Sequence, residues 1–345
     1  MLSILLTPFS ILYGFVTQIR NLFYDRGWIK SYSFNQCAVI GVGNLSLGGT
    51  GKTPVIEYLV RLLLPRHSIA VLSRGYGRRT QGFRLGNDQD DATTLGDEPF
   101  QFYNKWKGKI KVAVCEDRVE GVNRLLKIDP KIEVVLLDDV FQHRRLKLLF
   151  SILLTEFSKP FFRDYLLPKG RLRESRRGSS RTDVVVVTKC NESRDEEKFK
   201  NAIGYYAGNK PVFFSFIKYL GTVPFGKNIT INKKIILVTG IANSKPILNY
   251  ARENFSLIRH FNFADHHYYS ITDIESIQSE AGQTQAAILT TEKDWVKLIA
   301  QPLQDAVKKE LWFYLSIEHC FFNSGSEFDK MIINKIEHHT RSNSN

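Results

Sequence analysis

Gly41-Val42-Gly43-Asn44-Leu45-Ser46-Leu47-Gly48-Gly49-Thr50-Gly51-Lys52-Thr53-Pro54 lies between an apolar run, Ala38 to Val42, and the helically spaced Val55-Ile56-Glu57-Tyr58-Leu59-Val60-Arg61-Leu62-Leu63. An apolar strand, a glycine-rich loop and a helix, in that order, are what a phosphate-binding loop requires. Glycines let successive backbone N–H groups turn inward around phosphate oxygens. The helix N-terminus adds partial positive charge, Lys52 reaches the terminal phosphates, and Thr53 can hold a magnesium ion. Pro54 fits the first helical turn, where an N–H has no intrahelical partner to lose. The stretch departs from the usual pattern at Ser46, where glycine is expected, and Gly48 and Gly49 are placed to supply the missing freedom. Ser46, Leu47, Gly48, Gly49, Thr50, Gly51, Lys52 and Thr53 are therefore the candidate nucleotide-binding residues.

Outward from this loop, short apolar runs recur at Ile69–Leu72, Val112–Cys115, Val134–Leu137, Ile152–Leu154 and Val184–Val187, with helical stretches around 99–107 and 117–127. Strands alternating with helices predict a doubly wound, mostly parallel sheet of the P-loop NTPase type, with ligands beyond the carboxyl ends of the strands. The polar clusters follow that rule. Ser73-Arg74-Gly75-Tyr76-Gly77-Arg78-Arg79, Glu116-Asp117-Arg118 and Asp138-Asp139-Val140-Phe141-Gln142-His143-Arg144-Arg145 each follow a predicted strand. Asp138-Asp139 is the kind of acidic pair that orders Mg²⁺ beside Thr53. Gly96-Asp97-Glu98-Pro99 introduces a helix, where Asp97 is also a plain capping candidate.

At 345 residues the chain can bury a large core, and 43% apolar with 24% charged residues describe a folded protein. Cys37, Cys115, Cys190 and Cys320 lie far apart, with no CxxC, so neither a disulfide framework nor a zinc site is expected. The net charge of +13 points to phosphates, nucleic acid or an anionic membrane as partner. Its densest basic run, Arg163, Lys169, Arg171, Arg173, Arg176, Arg177 and Arg181, interleaves apolar residues and shows no helix-turn-helix, RNP or zinc-finger pattern. A phosphorylated or membrane-bound substrate suits it better than nucleic acid, because each cation near an anionic lipid surface contributes about 1 kcal/mol. Thr188-Lys189-Cys190-Asn191 is a weak counterpart of the guanine-reading Asn-Lys-x-Asp, which argues against a GTP-specific switch.

Residues 1–19 carry no charged side chain. No cationic region precedes them, no small-residue cleavage site follows, and polar residues interrupt the run, so neither a signal peptide nor a membrane span is expected. Ser3, Thr7, Ser10, Gly14, Thr17, Asn21 and Asp25 form a narrow polar stripe on a helix that is otherwise apolar (Leu5, Phe9, Leu12, Val16, Ile19, Phe23). Such a helix either packs on its own domain or lies in a membrane interface with Arg20, Arg26 and Lys30 at its polar end. Near 218–233, Gly221, Pro224, Gly226 and a polar run suggest a linker. Alternation then resumes at Ile235–Val238, Leu257–Phe263, Ala287–Leu289 and Trp312–Leu315, predicting a second, smaller α/β domain. There Asp265-His266-His267 and Thr290-Thr291-Glu292-Lys293-Asp294 follow strands. The chain is accordingly read as an N-terminal amphipathic helix (1–30), a P-loop domain (31–220), a linker (221–233), a smaller α/β domain (234–333) and a polar tail (334–345).

Together these motifs resemble one family, the tetraacyldisaccharide 4′-kinases, or lipid A 4′-kinases, of Gram-negative bacteria. The resemblance covers roughly residues 5–320, through the phosphate loop, Ser73–Arg78, Gly96–Pro99, Leu137–His143, Leu167–Glu174, Thr239-Gly240-Ile241-Ala242-Asn243, Asp265–His267 and Thr291–Asp294, in the expected order. Val140 stands where the family pattern has glycine. The resemblance implies ATP- and Mg²⁺-dependent phosphorylation of the 4′-hydroxyl of a tetraacyl glucosamine disaccharide 1-phosphate. The enzyme would be a monomeric peripheral protein on the anionic cytoplasmic face of the inner membrane. It implies that Asp97 is the base with His266 beside it, supplied from opposite sides of a crevice, and that Lys52 neutralises charge on the transferred group. Thr53, Asp138, Asp139 and Glu174 are then the metal candidates, and Arg74, Arg78, Arg118, Arg171, Gln142 and His143 the substrate contacts. The competing reading is a P-loop ATPase or GTPase acting as a partner-regulated switch, which leaves the apolar helix and the Asp97/His266 pair unused.

Overall fold

The structure, a computed structural model, describes residues 5–226 and 230–343. Ser3 and the start of the N-terminal helix, residues 227–229 of the expected linker and the last two residues of the tail lie outside the described residues. The chain forms two compact units. The first is Met1–Arg74, Gly108–Ile217 and His319–Asn345; the second is Gly75–Lys107 and Lys218–Glu318. The contiguous segments read from composition therefore group differently in space. Gly75–Lys107, with Asp97, joins the second unit, and the carboxyl-terminal residues join the first.

In the first unit β1 (Ala38–Asn44), β2 (Ile69–Ser73), β4 (Lys111–Val114), β5 (Val134–Asp138), β6 (Phe150–Glu156), β7 (Val184–Thr188) and the start of β8 (Val212–Pro224) form a sheet. The short β3 (Arg84–Leu85) belongs to the second unit. The order β8-β7-β6-β1-β5-β2-β4 puts the strand that feeds the phosphate loop at the centre. Every pair in it is parallel, with Val42 opposite Asp138 and Asn44 opposite Leu154. Continuous apolar runs suit this arrangement because a parallel sheet is covered on both faces. The helix Lys52–Leu63 lays Val55, Ile56, Leu59, Val60 and Leu63 against the sheet, fully buried. Each such side chain contributes about 1.5–3 kcal/mol.

The turn after β5 is held against β1 by absent side chains. A Cβ on Gly43 would lie 2.8 Å from the backbone N of Phe141, and one on Gly41 would lie 2.6 Å from Val140 Cγ1. The left-handed residue of this turn is Asp139 (φ 50). Val140 therefore needs no glycine-like freedom, and its buried side chain fills the space over Gly41.

The second unit carries β9 (Lys234–Thr239), β10 (Ser256–Asn262), β11 (Ala287–Thr291) and β12 (Trp312–Phe321) as far as Glu318, in the order β10-β9-β11-β12, with the pairs β10/β9, β9/β11 and β11/β12 parallel. One face packs Ile236, Val238, Ile274, Ile277 and Trp312; the other packs Ile247, Leu289 and Phe313.

The terminal helices differ from expectation. The N-terminal helix Thr7–Asp25 turns its polar stripe inward, burying Ser10 and Gly14, while Phe9, Leu12 and Val16 are exposed. The helix does pack on its own domain, but through the polar stripe, and its apolar face is left exposed. No described helix is long and apolar enough to cross a membrane. At the other end, residues 334–343 continue the helix Gly325–Asn343 instead of forming a polar tail. Phe328, Ile332 and Ile336, four residues apart, bury one stripe of it.

Gly43→Ala should lower stability by about 1–3 kcal/mol through overpacking against Phe141. A reduced denaturant midpoint is expected, and an unchanged midpoint would show that the turn yields freely.

Candidate active site

The first unit builds a phosphate cradle. Gly48 (φ 107) and Gly51 (φ 84) take the left-handed positions, whereas Ser46 is not among the residues of positive φ and bridges Leu172 in extended conformation. Serine is accommodated there because the bends fall two and five residues later. Added Cβ atoms at Gly48 and Gly49 would meet nothing within 4 Å, so the loop faces open space. Two flanking segments fix it. Leu47 N donates to Arg171 O (2.7 Å) and Arg173 N to Leu45 O (2.8 Å). From the end of β7, Thr188 Oγ1 donates to Thr50 O (2.8 Å) and Lys189 Nζ to Gly49 O. Thr188 and Lys189 thus clasp the loop backbone.

Lys52 Nζ lies 3.4 Å from Asn44 Oδ1 and 3.6 Å from Asp139 Oδ1. Arg173 grips Asp139 with two nitrogens, at 2.7 and 2.9 Å, and also donates to Asn44 Oδ1. Burial pushes the Asp139 carboxyl up, but the Arg173 hydrogen bonds and the Lys52 and Arg173 charges outweigh it and hold the group at about 2. Asp138, buried at the end of β5, faces Ser73 Oγ at 3.5 Å. Thr50 Oγ1 is buried with no hydrogen-bond partner among the described residues.

Open glycines, an orphaned hydroxyl and a forward lysine fit a polyphosphate. For Mg²⁺ the donors Thr53, Asp138 and Asp139 are hard oxygens, the type that ion takes. Among the described residues no three His, Cys, Asp or Glu side chains form a ready metal cluster. The fit is therefore to an ion carried by phosphates and one or two carboxylates, and not to an all-protein cage.

Other expected residues are committed elsewhere. Glu174 is fully buried and accepts from Arg181 (2.8 Å), Asn21 (3.0 Å) and Gln142 (3.1 Å), so its oxygens serve the protein's own donors. Gln142 also donates to Asn44 O at 2.9 Å. Arg118, expected at a phosphate, is 3% exposed and donates to the carbonyls of Cys115, Glu116 and Asp138, which makes it a brace across strand ends. Arg171 pairs with Asp164 at 2.9 Å, and Arg78, in the second unit, donates to Gly82 O at 2.6 Å. His143 is pushed down to about 4 by burial and by Arg118, so it is neutral near pH 7 and brings no charge to a phosphate. Arg74, exposed at the end of β2, keeps a phosphate role open.

The second unit gathers a cluster of titratable groups around Asp97. Gly96 (φ 95) lets the chain turn into the helix Asp97–Lys105, since a Cβ there would come within 3.0 Å of Tyr76 O. Asp97, 6% exposed, opens that helix. His266, left-handed at φ 60, sets Nδ1 2.9 Å from Asp97 Oδ2. Its other nitrogen, Nε2, lies 3.2 Å from Lys293 Nζ. An ammonium only donates, so Nε2 accepts and the ring proton sits on Nδ1, directed at the carboxylate. Lys293 is itself fixed by Glu98 and Asp265, each at 3.2 Å.

Lys297, almost fully buried, lies 3.2 Å from Asp97 Oδ2 and 3.6 Å from Asp294 Oδ1. Asp294 in turn accepts from Gly240 N (3.0 Å) and Thr291 Oγ1 (2.7 Å). Burial raises the Asp97 carboxyl, and the His266 hydrogen bond with the Lys297 and Lys293 charges more than reverses it, leaving the group below its ordinary range. The hydrogen bond to Asp97 raises His266 above 6.5 against the opposing effects of burial and Lys293.

Asp97 and His266 thus come together as the sequence suggested, but from a single unit and not from opposite sides. Sequence reading gave no role to Lys297 or Asn44, and it placed Arg173 only within the basic run and Lys189 only within a weak guanine-reading counterpart. Lys293 and Lys297, four apart on the helix Glu292–Leu298, share a face, and that spacing was the available signal. Lys297→Met should lower kcat by about tenfold to a hundredfold, within the span of general-base effects, while nucleotide affinity holds. An unchanged kcat would remove Lys297 from the site.

A family profile described as tetraacyldisaccharide-1-P 4′-kinase (LpxK) matches residues 2–337. Among curated relatives, the tetraacyldisaccharide 4′-kinase of Cytophaga hutchinsonii is 42% identical over 339 residues, covering 97% of this chain and 96% of the relative. That of Flavobacterium psychrophilum is 44% identical over 344 residues, covering 97% of each. Among solved structures, the "apo" form of LpxK from Aquifex aeolicus in complex with ATP superposes with a TM-score of 0.76 at 28% identity, covering 97% of this chain and 100% of that one. The chain belongs to the tetraacyldisaccharide-1-P 4′-kinase family.

Proposed function

We propose that the protein transfers the γ-phosphate of ATP to the 4′-hydroxyl of a tetraacyl glucosamine disaccharide 1-phosphate, the lipid A precursor, as a monomer at the cytoplasmic face of the inner membrane. The observation that carries the chemistry is the Asp97–His266 pair: an ionised carboxylate, held by Lys297, whose second partner is an imidazole. A partner-regulated switch has no use for such a pair.

In this reading Asp97 accepts the proton of the sugar hydroxyl as the oxygen attacks the γ-phosphorus and the bond from that phosphorus to the departing ADP breaks. His266 orients the carboxylate through Nδ1–H and so holds it in place to receive that proton. The phosphate loop holds the triphosphate by its backbone N–H groups, and Lys52 neutralises charge on the transferred group. Thr53 with Asp138 and Asp139 would hold Mg²⁺, which when bound screens the phosphate oxygens. The outward apolar face of the N-terminal helix, with Phe9, Leu12 and Val16 exposed, supports seating at a lipid surface.

Transfer of labelled γ-phosphate to the lipid disaccharide in detergent tests the reading. A folded, ATP-binding preparation that labels no lipid would refute it. Asp97→Asn should lower kcat by about 10²–10⁴ with little change in the KM for ATP. A loss of ATP affinity alone would assign Asp97 to nucleotide binding instead.

The pH profile follows from the same pair. A protonated His266 makes the Asp97 carboxylate a weaker base, and because the His266 value is raised above 6.5 that form persists to higher pH than for a free imidazole. The acid limb of kcat/KM should therefore have its midpoint above 6.5 and be displaced in His266→Asn. A limb centred below 6.5 would contradict this.

A further inference from the structure

The N-terminal helix makes more contacts than a lipid anchor needs. Its exposed face holds Leu5, Phe9, Leu12, Phe15 and Val16. Ser10, Tyr13 and Asn21 on its inward side hydrogen-bond to the segment that clamps the phosphate loop. Ser10 Oγ donates to Leu166 O (3.1 Å) and accepts from Lys169 N (3.0 Å). Gly14 sits so close that a Cβ would lie 2.7 Å from Leu166 Cδ1. Tyr13 OH donates to Arg173 O (2.8 Å), and Asn21 Nδ2 donates to Glu174 Oε2 (3.0 Å).

Those two targets lead to the lysine of the loop. Arg173 holds Asp139 with two nitrogens, and Asp139 Oδ1 faces Lys52 Nζ at 3.6 Å. Glu174 holds Gln142 at 3.1 Å, Gln142 Nε2 donates to Asn44 O, and Asn44 Oδ1 lies 3.4 Å from Lys52 Nζ. Glu174 is fully buried, so every donor it loses leaves an acceptor that water cannot reach. Arg181 and Gln142 must then re-aim, and with them Asn44.

We propose that Tyr13 and Asn21 are positioning residues for the nucleotide site, so that the helix which faces the lipid also sets the geometry around Lys52. The inference rests on the reading that the loop binds ATP. Its consequence is that nucleotide affinity and the seating of the helix are linked, and by reciprocity each influences the other by the same factor.

The test uses the full chain in detergent, with N-methylanthraniloyl-ATP and Mg²⁺ as the nucleotide probe and sedimentation with phosphatidylglycerol vesicles as the lipid probe. Asn21→Leu should weaken nucleotide binding about tenfold, the scale of a buried acceptor left unsatisfied, and raise the KM for ATP without raising that for the lipid acceptor. Vesicle binding should be retained, because the exposed apolar face is untouched. Asn21→Gln should recover most of the loss, which a general loosening of the helix would not permit. Thr17→Val is the control, since Thr17 Oγ1 bonds within its own helix to Gly14 O, and it should bind nucleotide like the wild type.

Should Asn21→Leu fail to fold, Tyr13→Phe decides, with an expected loss of about fivefold from one deleted hydrogen bond. Wild-type affinity in both folded variants overturns the inference while leaving the kinase reading intact. A wild-type chain that binds no nucleotide overturns both together.

Discussion

A carboxylate withdrawn from water stays ionised only where cations and hydrogen-bond donors take the water's place, and each unit holds one such group. In the first unit it is Asp139, gripped by Arg173 and faced by Lys52. In the second it is Asp97, met by His266 and Lys297. Both residues are placed by backbone devices that only a few residues tolerate: the left-handed conformation of Asp139 itself, and that of Gly96 before Asp97. The sheet and its cores hold those backbone positions, and the charges follow.

The two groups are suited to different work. Asp139 is held near 2 by an arginine fork, which makes it a permanent anion that can share a cation with phosphate oxygens. Asp97 is partnered by an imidazole, a group that can take up a proton near neutrality. Lys297 links Asp97 to the buried Asp294, so the polar core of the second unit reaches the Asp97 carboxylate. Left-handed backbone at Asp139, Lys189 and His266 falls where side chains must be aimed, the usual location for such strain.

Much of this was legible in the chain. Apolar runs marked strands and the glycine loop marked the phosphate cradle because both are local signals, complete within about a dozen residues. Asp97 and His266 were identified through a resemblance, since nothing local distinguishes them from a helix cap and a structural histidine. Illegible features depend on partners distant in sequence. Glu174 read as a metal candidate because its three donors, Asn21, Gln142 and Arg181, come from three separate segments. Arg118 read as a phosphate ligand because its burial against the carbonyls at the ends of β4 and β5 is a tertiary fact. The inverted N-terminal helix was ambiguous because a helical period gives two faces without saying which one packs.

The central claim is electrostatic: Asp97 and His266 form a pair in which the carboxylate stabilises the protonated ring. Nitrogen-15 NMR of the histidine-labelled protein, titrated with pH, tests this directly. His266 should titrate above 6.5 and move downward in Asp97→Asn, because the hydrogen bond to the carboxylate is the largest cause of its shift. A His266 that titrates at or below 6.5 and is indifferent to Asp97→Asn would contradict the account.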